Sequence, residues 1–201
     1  TIGGHLVGFC IGIAVALQLI SIYPKPEIAF ASPPVDIQVA KDCNRLPVSK
    51  NNRIINQRWS TPPDITICPS SRLSIYRLEK ATQFWESLGH KFGSIRKAEE
   101  YSYNCATGIP SYNEILVDIP SQDFKFGDHL GTTRIWWKTD TGEILKSKIE
   151  IVTGWESSQR IIEHEIGHAL GFKDNNITGH MMNKVWTKGG YNHRGLENNE
   201  I

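Results

Sequence analysis

A histidine pair at helical spacing constrains this chain more than any other feature of its sequence. The stretch from His164 to Asp174 reads HEIGHALGFKD, and His168 follows His164 at position i+4. On an α-helix, side chains at that spacing project from one face one turn apart, so both imidazoles can reach one tetrahedral zinc ion. Glu165 lies on the flank of the same face, where a carboxylate can accept a proton from metal-activated water. The spacing therefore predicts a metal site on a helix, with a base beside it.

The residues after this pair predict a turn that brings in a third ligand. Gly171 tolerates a positive φ, so it can end the helix and turn the chain sharply. Asp174 comes shortly after that turn and offers a carboxylate oxygen, which is an acceptable zinc ligand. His180 is the competing candidate for the third ligand. Three protein ligands leave one position for water, which is typical of a catalytic rather than a structural zinc site.

The complete pattern resembles the zinc motif of the metzincin metallopeptidases, His-Glu-x-x-His-x-x-Gly-x-x-His/Asp. The matrixins of that family have His as third ligand, whereas Asp in that place resembles the snapalysin branch. Metzincins also carry a Met in a tight turn beneath the zinc. Met182, in the segment GHMMN at 179–183, stands at the offset from Asp174 that matrixins show. The resemblance covers the chain from about Asp64 to Met182.

This resemblance implies a zinc-dependent endopeptidase with a metzincin-like catalytic domain. His164, His168 and Asp174 would hold one zinc ion, and Glu165 would act as general base. The domain would be α+β, with a mixed twisted sheet and two main helices, the second of which carries the zinc motif. In that family the strand corresponding to Thr132–Lys138 forms the edge of the cleft, and an extended peptide or protein substrate pairs with it antiparallel.

Two other functions stay open at this point. Zinc could stabilise a non-catalytic binding module, in which case a fourth protein ligand is expected and His180 is the residue near enough to supply it. The chain could also be a zinc hydrolase that cuts peptide crosslinks in cell walls, because the motif does not separate those substrates from ordinary peptides. The sequence leaves structural calcium and the oligomeric state undetermined.

Hydrophobic periodicity predicts the elements that carry the site. Strands are expected at Asp64–Cys68, Glu114–Ile119, Thr132–Lys138 and Glu143–Val152, with a weaker one at 91–95 and an irregular segment at 96–113. A first helix is expected from Leu73 to Leu88, closed by Gly89. The second is expected to start from a cap at Ser157 or Ser158 and to bury the apolar residues Ile161, Ile162, Ile166, Ala169 and Leu170.

Length and charge suit a single catalytic domain with appendages. The chain has 201 residues, of which 39% are hydrophobic, enough to build one core. Its net charge is only +1, and the Lys and Arg residues are scattered, which argues against nucleic acid as a partner.

The N-terminal region predicts export. Residues 6–22 are nearly all apolar, and Ala29-Phe30-Ala31 follows as a cleavage pattern, so a signal peptide cut after Ala31 is expected. An uncleaved signal anchor and a buried core helix are the alternatives. The first two place the remaining chain outside the cytoplasm, either secreted or anchored in a membrane through 6–22. The predicted division is a signal peptide or anchor at 1–31, a linker or short pro-region at 32–63, and the catalytic domain at 64–201.

The cysteines agree with an exported protein. The exported part contains Cys43, Cys68 and Cys105, so pairing leaves one thiol over. A disulfide between Cys68 and Cys105 is predicted because both flank the expected core, although Cys43 could pair with either. The matrixin resemblance adds a further role for Cys43, a pro-region thiolate that caps the zinc, but its context KDCNRLP matches the matrixin motif poorly.

Overall fold

Seven strands and three helices are found in the parts of the chain that this computed structural model describes: residues 37–40 (backbone only), 57–120, 129–158, 160–185 and 192–198. The strands are β1 (Ile37–Ala40), β2 (Arg58–Trp59), β3 (Asp64–Ile67), β4 (Ile95–Lys97), β5 (Glu114–Asp118), β6 (Gly131–Lys138) and β7 (Glu143–Ile151). The helices are α1 (Ile75–Glu86), α2 (Tyr103–Thr107) and α3 (Ile161–Ala169).

The predictions for the N-terminal region lie outside these ranges. Residues 1–31, with the expected signal peptide or anchor, are not among the described residues, and neither is Cys43. Of the helices that the structure describes, none has the length and apolar character that a membrane span requires.

All described strands join one mixed sheet. The order is β1-β6-β7-β5-β3-β4, and β2 pairs separately with β7. The pairs among β2, β3, β4, β5 and β7 are parallel, whereas β6 runs antiparallel to both β7 and β1. A mostly parallel sheet with few helices agrees with the predicted α+β class with a mixed sheet.

The core lies between one face of this sheet and the two longer helices. Side chains alternate along a strand, so every second residue of β3, β5 and β7 points to the same face. The buried residues on that face pack against α1 and α3 in a single cluster; the strand members are Ile65, Ile67, Ile115, Val117, Ile149 and Ile151, and helix members include Leu78, Trp85, Ile162 and Ile166. Burial of each such side chain stabilises the fold by roughly 1.5–3 kcal/mol, so the sheet sets the position of α3.

Hydrogen bonds also join helix α3 to α1. The Arg77 guanidinium donates two hydrogen bonds of 2.8 Å to the Glu163 carboxylate, and the indole of Trp85 donates one of 2.8 Å to the Glu163 carbonyl. Glu163 is buried, and a buried carboxylate needs such partners to offset its lost hydration. These bonds fix how α3 is rotated about its own axis.

Several predicted element bounds need correction. Helix α1 begins at Ile75 rather than Leu73, because the hydroxyl of Ser74 caps it by accepting the Arg77 N–H. The weak strand expected at 91–95 is β4, which begins only at Ile95. The segment expected to be irregular, 96–113, contains α2.

The start of α3 also differs from prediction. No serine caps α3: the residue before it is Arg160, with φ of 80° and no side-chain cap hydrogen bond. The segment 32–63, expected to be a linker or short pro-region, contains β1 and β2, which join the sheet. Both strands are too short to show alternation in the sequence, and their partners are distant in the chain.

A disulfide joins the end of β3 to α2. Cys68 and Cys105 are bonded with their Cα atoms 5.5 Å apart, across a sequence separation of 37 residues. Closing a loop of that length stabilises the fold by roughly 3–4 kcal/mol. We therefore expect reduction to lower the free energy of unfolding in urea by about this amount, and peptide mapping without reductant to find the two cysteines linked. Recovery of both as free thiols from the folded protein would contradict the assignment.

Glu150 should make stability depend on pH. Its carboxylate accepts hydrogen bonds from Lys148 and Arg134. Burial raises the pKa of Glu150, but these two cations lower it by more, so it lies below the ordinary value. Its contribution to stability is therefore present above the unfolded pKa of about 4.3 and lost as the pH falls through the folded pKa. Glu150→Gln should be less stable at pH 7 and should lose less stability on acidification, measured by urea unfolding between pH 3 and 7. Equal acid slopes in both proteins would refute this.

Candidate metal centre

The two histidines of α3 meet at one point. The Nε2 atoms of His164 and His168 lie 3.1 Å apart, with the ring planes nearly perpendicular at 89°. His168 is buried, and the His164 side chain is 17% exposed, so the pair lies at the margin of the core. The helical spacing thus brings both rings to the same position, as expected from the sequence.

A turn at Gly171 brings Asp174 to the same point. Gly171 has φ of 98°, and its N–H donates to the His168 carbonyl at 2.9 Å, which ends the helix. A Cβ at this position would lie 2.6 Å from the carbonyl oxygen of Gln57, so both conformation and space require glycine. Beyond the turn, the Oδ1 atom of Asp174 lies 3.2 Å from Nε2 of His164 and 3.3 Å from Nε2 of His168.

Backbone carbonyls determine which ring nitrogens face this point. Nδ1 of His164 lies 2.8 Å from the carbonyl oxygen of Met181, and Nδ1 of His168 lies 2.9 Å from that of Phe172. A carbonyl oxygen can only accept, so each Nδ1 carries the hydrogen. In the neutral imidazole, each Nε2 then presents a lone pair. This is the usual arrangement of metal-ligating histidines, whose second nitrogen donates to a carbonyl or carboxylate.

The three converging atoms fit a small cation. Two Nε2 lone pairs and a carboxylate oxygen face one another, and Oδ1 of Asp174 is buried and accepts no hydrogen bond in the described structure. Zinc bonds of about 2.0–2.2 Å in tetrahedral geometry separate ligand atoms by about 3.3–3.5 Å, close to the separations of 3.1–3.3 Å found here. In the described residues these three side chains are the group able to hold a metal ion.

The electrostatics of this group also attract positive charge. Burial raises the pKa of the Asp174 carboxyl, but the two imidazoles lower it by more, so it lies well below its ordinary range. Burial likewise lowers the pKa of His168, whereas Asp174 and Glu165 raise it by more in total. Asp174 is therefore anionic at neutral pH, and the point where the three atoms meet favours a positive charge.

His180 does not belong to the group formed by His164, His168 and Asp174. Its Nδ1 accepts from the backbone N–H of Met182 at 3.0 Å and lies 2.7 Å from the amide nitrogen of Asn175, while its Nε2 lies 3.1 Å from the Arg194 carbonyl, to which it donates. Both ring nitrogens thus have partners among the residues that follow α3. His180 is buried and organises the backbone around Met182 instead of contributing a ligand.

Met182 packs directly against α3. A Cβ on Gly167 would lie 2.4 Å from the Met182 sulfur and 2.7 Å from Cζ2 of Trp85. Gly167 therefore lets both side chains approach the helix at the residue before His168. Met182 itself is buried in the core. Its position supports the loop that supplies the Met181 carbonyl to His164.

Two residues that the sequence did not single out hold this loop in place. Arg160, buried at the start of α3, donates from its guanidinium to the carbonyl of His180. Asn175, next to the predicted ligand Asp174, donates its backbone N–H to the Met182 carbonyl at 2.7 Å. Nothing in the sequence pattern marks either residue, because both act on backbone atoms.

Glu165 lies against β6. The hydroxyl of Thr133 lies 2.6 Å from Oε2 of Glu165, and both side chains are buried. Glu165 also contributes to the raised pKa of His168, which places its charge near the three converging atoms without making it one of them. Thr133 is a residue that sequence reasoning missed: as an inward-facing position of a strand it looks like any other buried threonine.

Comparison with known proteins adds no further identification: no family model matches the chain, and no curated protein matches it. The geometry of the site therefore carries the functional argument.

Substitutions can distinguish the candidate ligand Asp174 from His180, which supports the backbone around Met182. Asp174→Ala removes the only anionic donor and should weaken zinc binding by more than the roughly 10- to 100-fold that losing a supporting residue costs. Asp174→His should retain zinc, since imidazole is also a zinc ligand. His180→Ala should keep zinc, although the loop around Met182 loses hydrogen bonds. The measurement is competition with a chromophoric chelator, with circular dichroism as the folding control. Loss of zinc from His180→Ala but not from Asp174→Ala would show that the assignment is wrong.

Proposed function

We propose that this chain is a zinc-dependent endopeptidase of the metzincin type that acts outside the cytoplasm. The observation that carries the proposal is the arrangement at the end of α3. Two imidazole nitrogens and a carboxylate oxygen converge within 3.3 Å, and a further carboxylate, Glu165, stands on the same helix without being a ligand.

The donor set favours zinc. Imidazole nitrogens suit zinc, copper, iron and nickel, and a single carboxylate oxygen is compatible with zinc, whereas calcium and magnesium prefer oxygen donors throughout. Two histidines and one carboxylate also bind iron(II) in oxygenases. Glu165 favours hydrolysis over oxygenation, because a base next to the metal is what activation of water requires.

The number of ligands favours catalysis over a structural role. A structural zinc site is usually closed by four protein ligands, often cysteines. In the described part of the chain the group consists of His164, His168 and Asp174, and both nitrogens of His180 have other partners. One coordination position is then left for water or substrate, which argues against the stabilised binding module.

The chemistry divides between the metal and the chain. Zinc, when bound, supplies a Lewis acid that lowers the pKa of water and polarises the scissile carbonyl. Glu165 takes one proton from the attacking water as its oxygen bonds to the carbonyl carbon. As the C–N bond breaks, Glu165 passes that proton to the leaving nitrogen. The products are a carboxylic acid and an amine, and Glu165 returns to its ionised form. Asp174, His164 and His168 stay in place throughout.

Strand β6 lies beside the candidate site. In the sheet β1 lies outside β6 and pairs with Ile135–Lys138, while Thr133, nearer the start of β6, contacts Glu165. An extended peptide that adds to the sheet beside this strand would lie next to the candidate site and be held through its backbone, with little demand on its side chains. We propose that substrates bind in this way.

The disulfide supports an extracytoplasmic location. Disulfides persist in oxidising compartments and are rare in the cytosol. The bond between Cys68 and Cys105 therefore fits the export predicted from residues 1–31.

Hydrolysis of a random peptide library by the zinc-loaded protein tests the proposal. We expect cleavage at internal bonds, its loss on chelation and its return with zinc. Glu165→Gln should bind zinc like the wild type yet lose roughly 100- to 10,000-fold in turnover, because it cannot accept the proton.

Glu150→Gln is the matched control. It also neutralises a buried carboxylate, but one that lies on β7 with Lys148 and Arg134 as partners. It should retain wild-type kcat at pH 7 at a temperature where it is folded. Near-normal activity of Glu165→Gln would refute the assigned mechanism, and inactivity of the zinc-loaded wild type on peptides would refute the function.

A further inference from the structure

We propose that Thr133 is a positioning residue for Glu165: its hydroxyl holds one carboxylate oxygen and so leaves the other to carry the proton. This inference rests on the proposed function of Glu165 as general base. It concerns an element of the sheet rather than the helix that bears the zinc motif.

The contact between the two residues is short and buried. Oγ1 of Thr133 lies 2.6 Å from Oε2 of Glu165 and 3.1 Å from the Glu165 carbonyl oxygen. The threonine hydroxyl has one hydrogen, and the shorter contact has the length typical of a hydroxyl that donates to an ionised carboxylate, about 2.5–2.7 Å. Thr133 is 3% exposed and Glu165 5% exposed, so water competes little for this bond.

Gly131 limits the same carboxylate from the other side. A Cβ at position 131 would lie 2.7 Å from Oε1 of Glu165 and 2.9 Å from its Cδ. Any side chain there would displace the carboxylate, so glycine keeps the space next to Oε1 clear. Oε1 makes no hydrogen bond to the residues that the structure describes. The two oxygens therefore have different surroundings.

This asymmetry matters because the terminal torsion of a glutamate is soft. Carboxylate groups rotate about it over a broad range, so a buried glutamate without partners would present either oxygen in many orientations. A bond from Thr133 to Oε2 restricts that rotation and directs Oε1 consistently. Proton transfer needs the accepting atom within hydrogen-bond reach of the water, and a fixed orientation raises the fraction of time in which this holds.

The chain contains a matched control for this contact. Thr66 on β3 donates to Oε1 of Glu114 at 2.5 Å, and both residues are buried. It is the same pair of residue types, with its threonine in the same sheet as Thr133 and away from the candidate metal ligands. Thr66→Val therefore also removes a buried hydroxyl that donates to a glutamate, but only Thr133→Val should alter turnover.

The experiment measures kcat, KM and zinc affinity for Thr133→Val, Thr133→Ser and Thr66→Val on a peptide that the wild type cleaves. We expect Thr133→Val to lower kcat about 10- to 100-fold with KM and zinc affinity unchanged, and Thr133→Ser to restore most of it, because serine keeps the hydroxyl. Thr66→Val should keep wild-type kcat. If Thr133→Val does not fold, Gly131→Ala provides the test, because its Cβ should displace Glu165 and lower kcat with zinc retained.

A second measurement does not depend on activity. In a double-mutant cycle, Thr133→Val should reduce the folding equilibrium constant at least about tenfold more in the wild type than in Glu165→Met, which lacks the acceptor. If the zinc-loaded wild type cleaves no peptide, the proposed function fails and the positioning role fails with it. If the wild type is active and Glu165→Gln is not, any of three results overturns the positioning role alone. They are a wild-type kcat in Thr133→Val, a loss of kcat in Thr66→Val equal to that in Thr133→Val, and no coupling between positions 133 and 165 in the double-mutant cycle.

Discussion

Two imidazole nitrogens and a carboxylate oxygen face one another at 3.1–3.3 Å, and the structure around α3 serves to hold these three acceptors together. Acceptors so close repel one another unless positive charge lies among them. The carbonyls of Phe172 and Met181 fix the two rings, and the turn at Gly171 fixes Asp174. Because all of these lie in the chain that leaves α3, one segment both supplies the third candidate ligand and orients the first two.

The placement of α3 is also constrained by the burial of its two glutamates. Each carboxylate must find partners that replace water, and the helix obtains them on different sides. Glu163 meets the guanidinium of Arg77 on α1, and Glu165 meets the hydroxyl of Thr133 on β6. The first pairing joins opposite charges and serves to dock the helix. The second joins a charge to a neutral hydroxyl and leaves one carboxylate oxygen free of protein hydrogen bonds in the described structure, which suits the general base that we propose Glu165 to be.

Elements with a regular apolar pattern were predicted well, and the others were not. Strands β3, β5, β6 and β7 and helix α1 lie within a few residues of their expected bounds, because their alternation or helical spacing continues over several residues. Helix α2 was not predicted, because its five residues are too few for a helical period of apolar residues to show. It contains Cys105, which forms the disulfide with Cys68. The start of α3 was wrong because Arg160 precedes it in place of a serine cap, and the partner of its side chain is the carbonyl of His180.

The sequence alone determined part of the chemistry of the candidate site: that two histidines share a helix face, that a glutamate stands beside them, and that a glycine turn precedes the two candidates for the third donor, Asp174 and His180. These properties are local, since the i+4 spacing and the conformational freedom of glycine act within a few residues. Only the tertiary structure decided that His180 turns away, that backbone carbonyls select the Nε2 atoms, and that Thr133 on β6 holds Glu165. A carbonyl has no residue identity to recognise, and a contact between residues 133 and 165 exists only once β6 and α3 pack together on the sheet. No pattern along the chain encodes either contact, because each depends on the packing of distant segments.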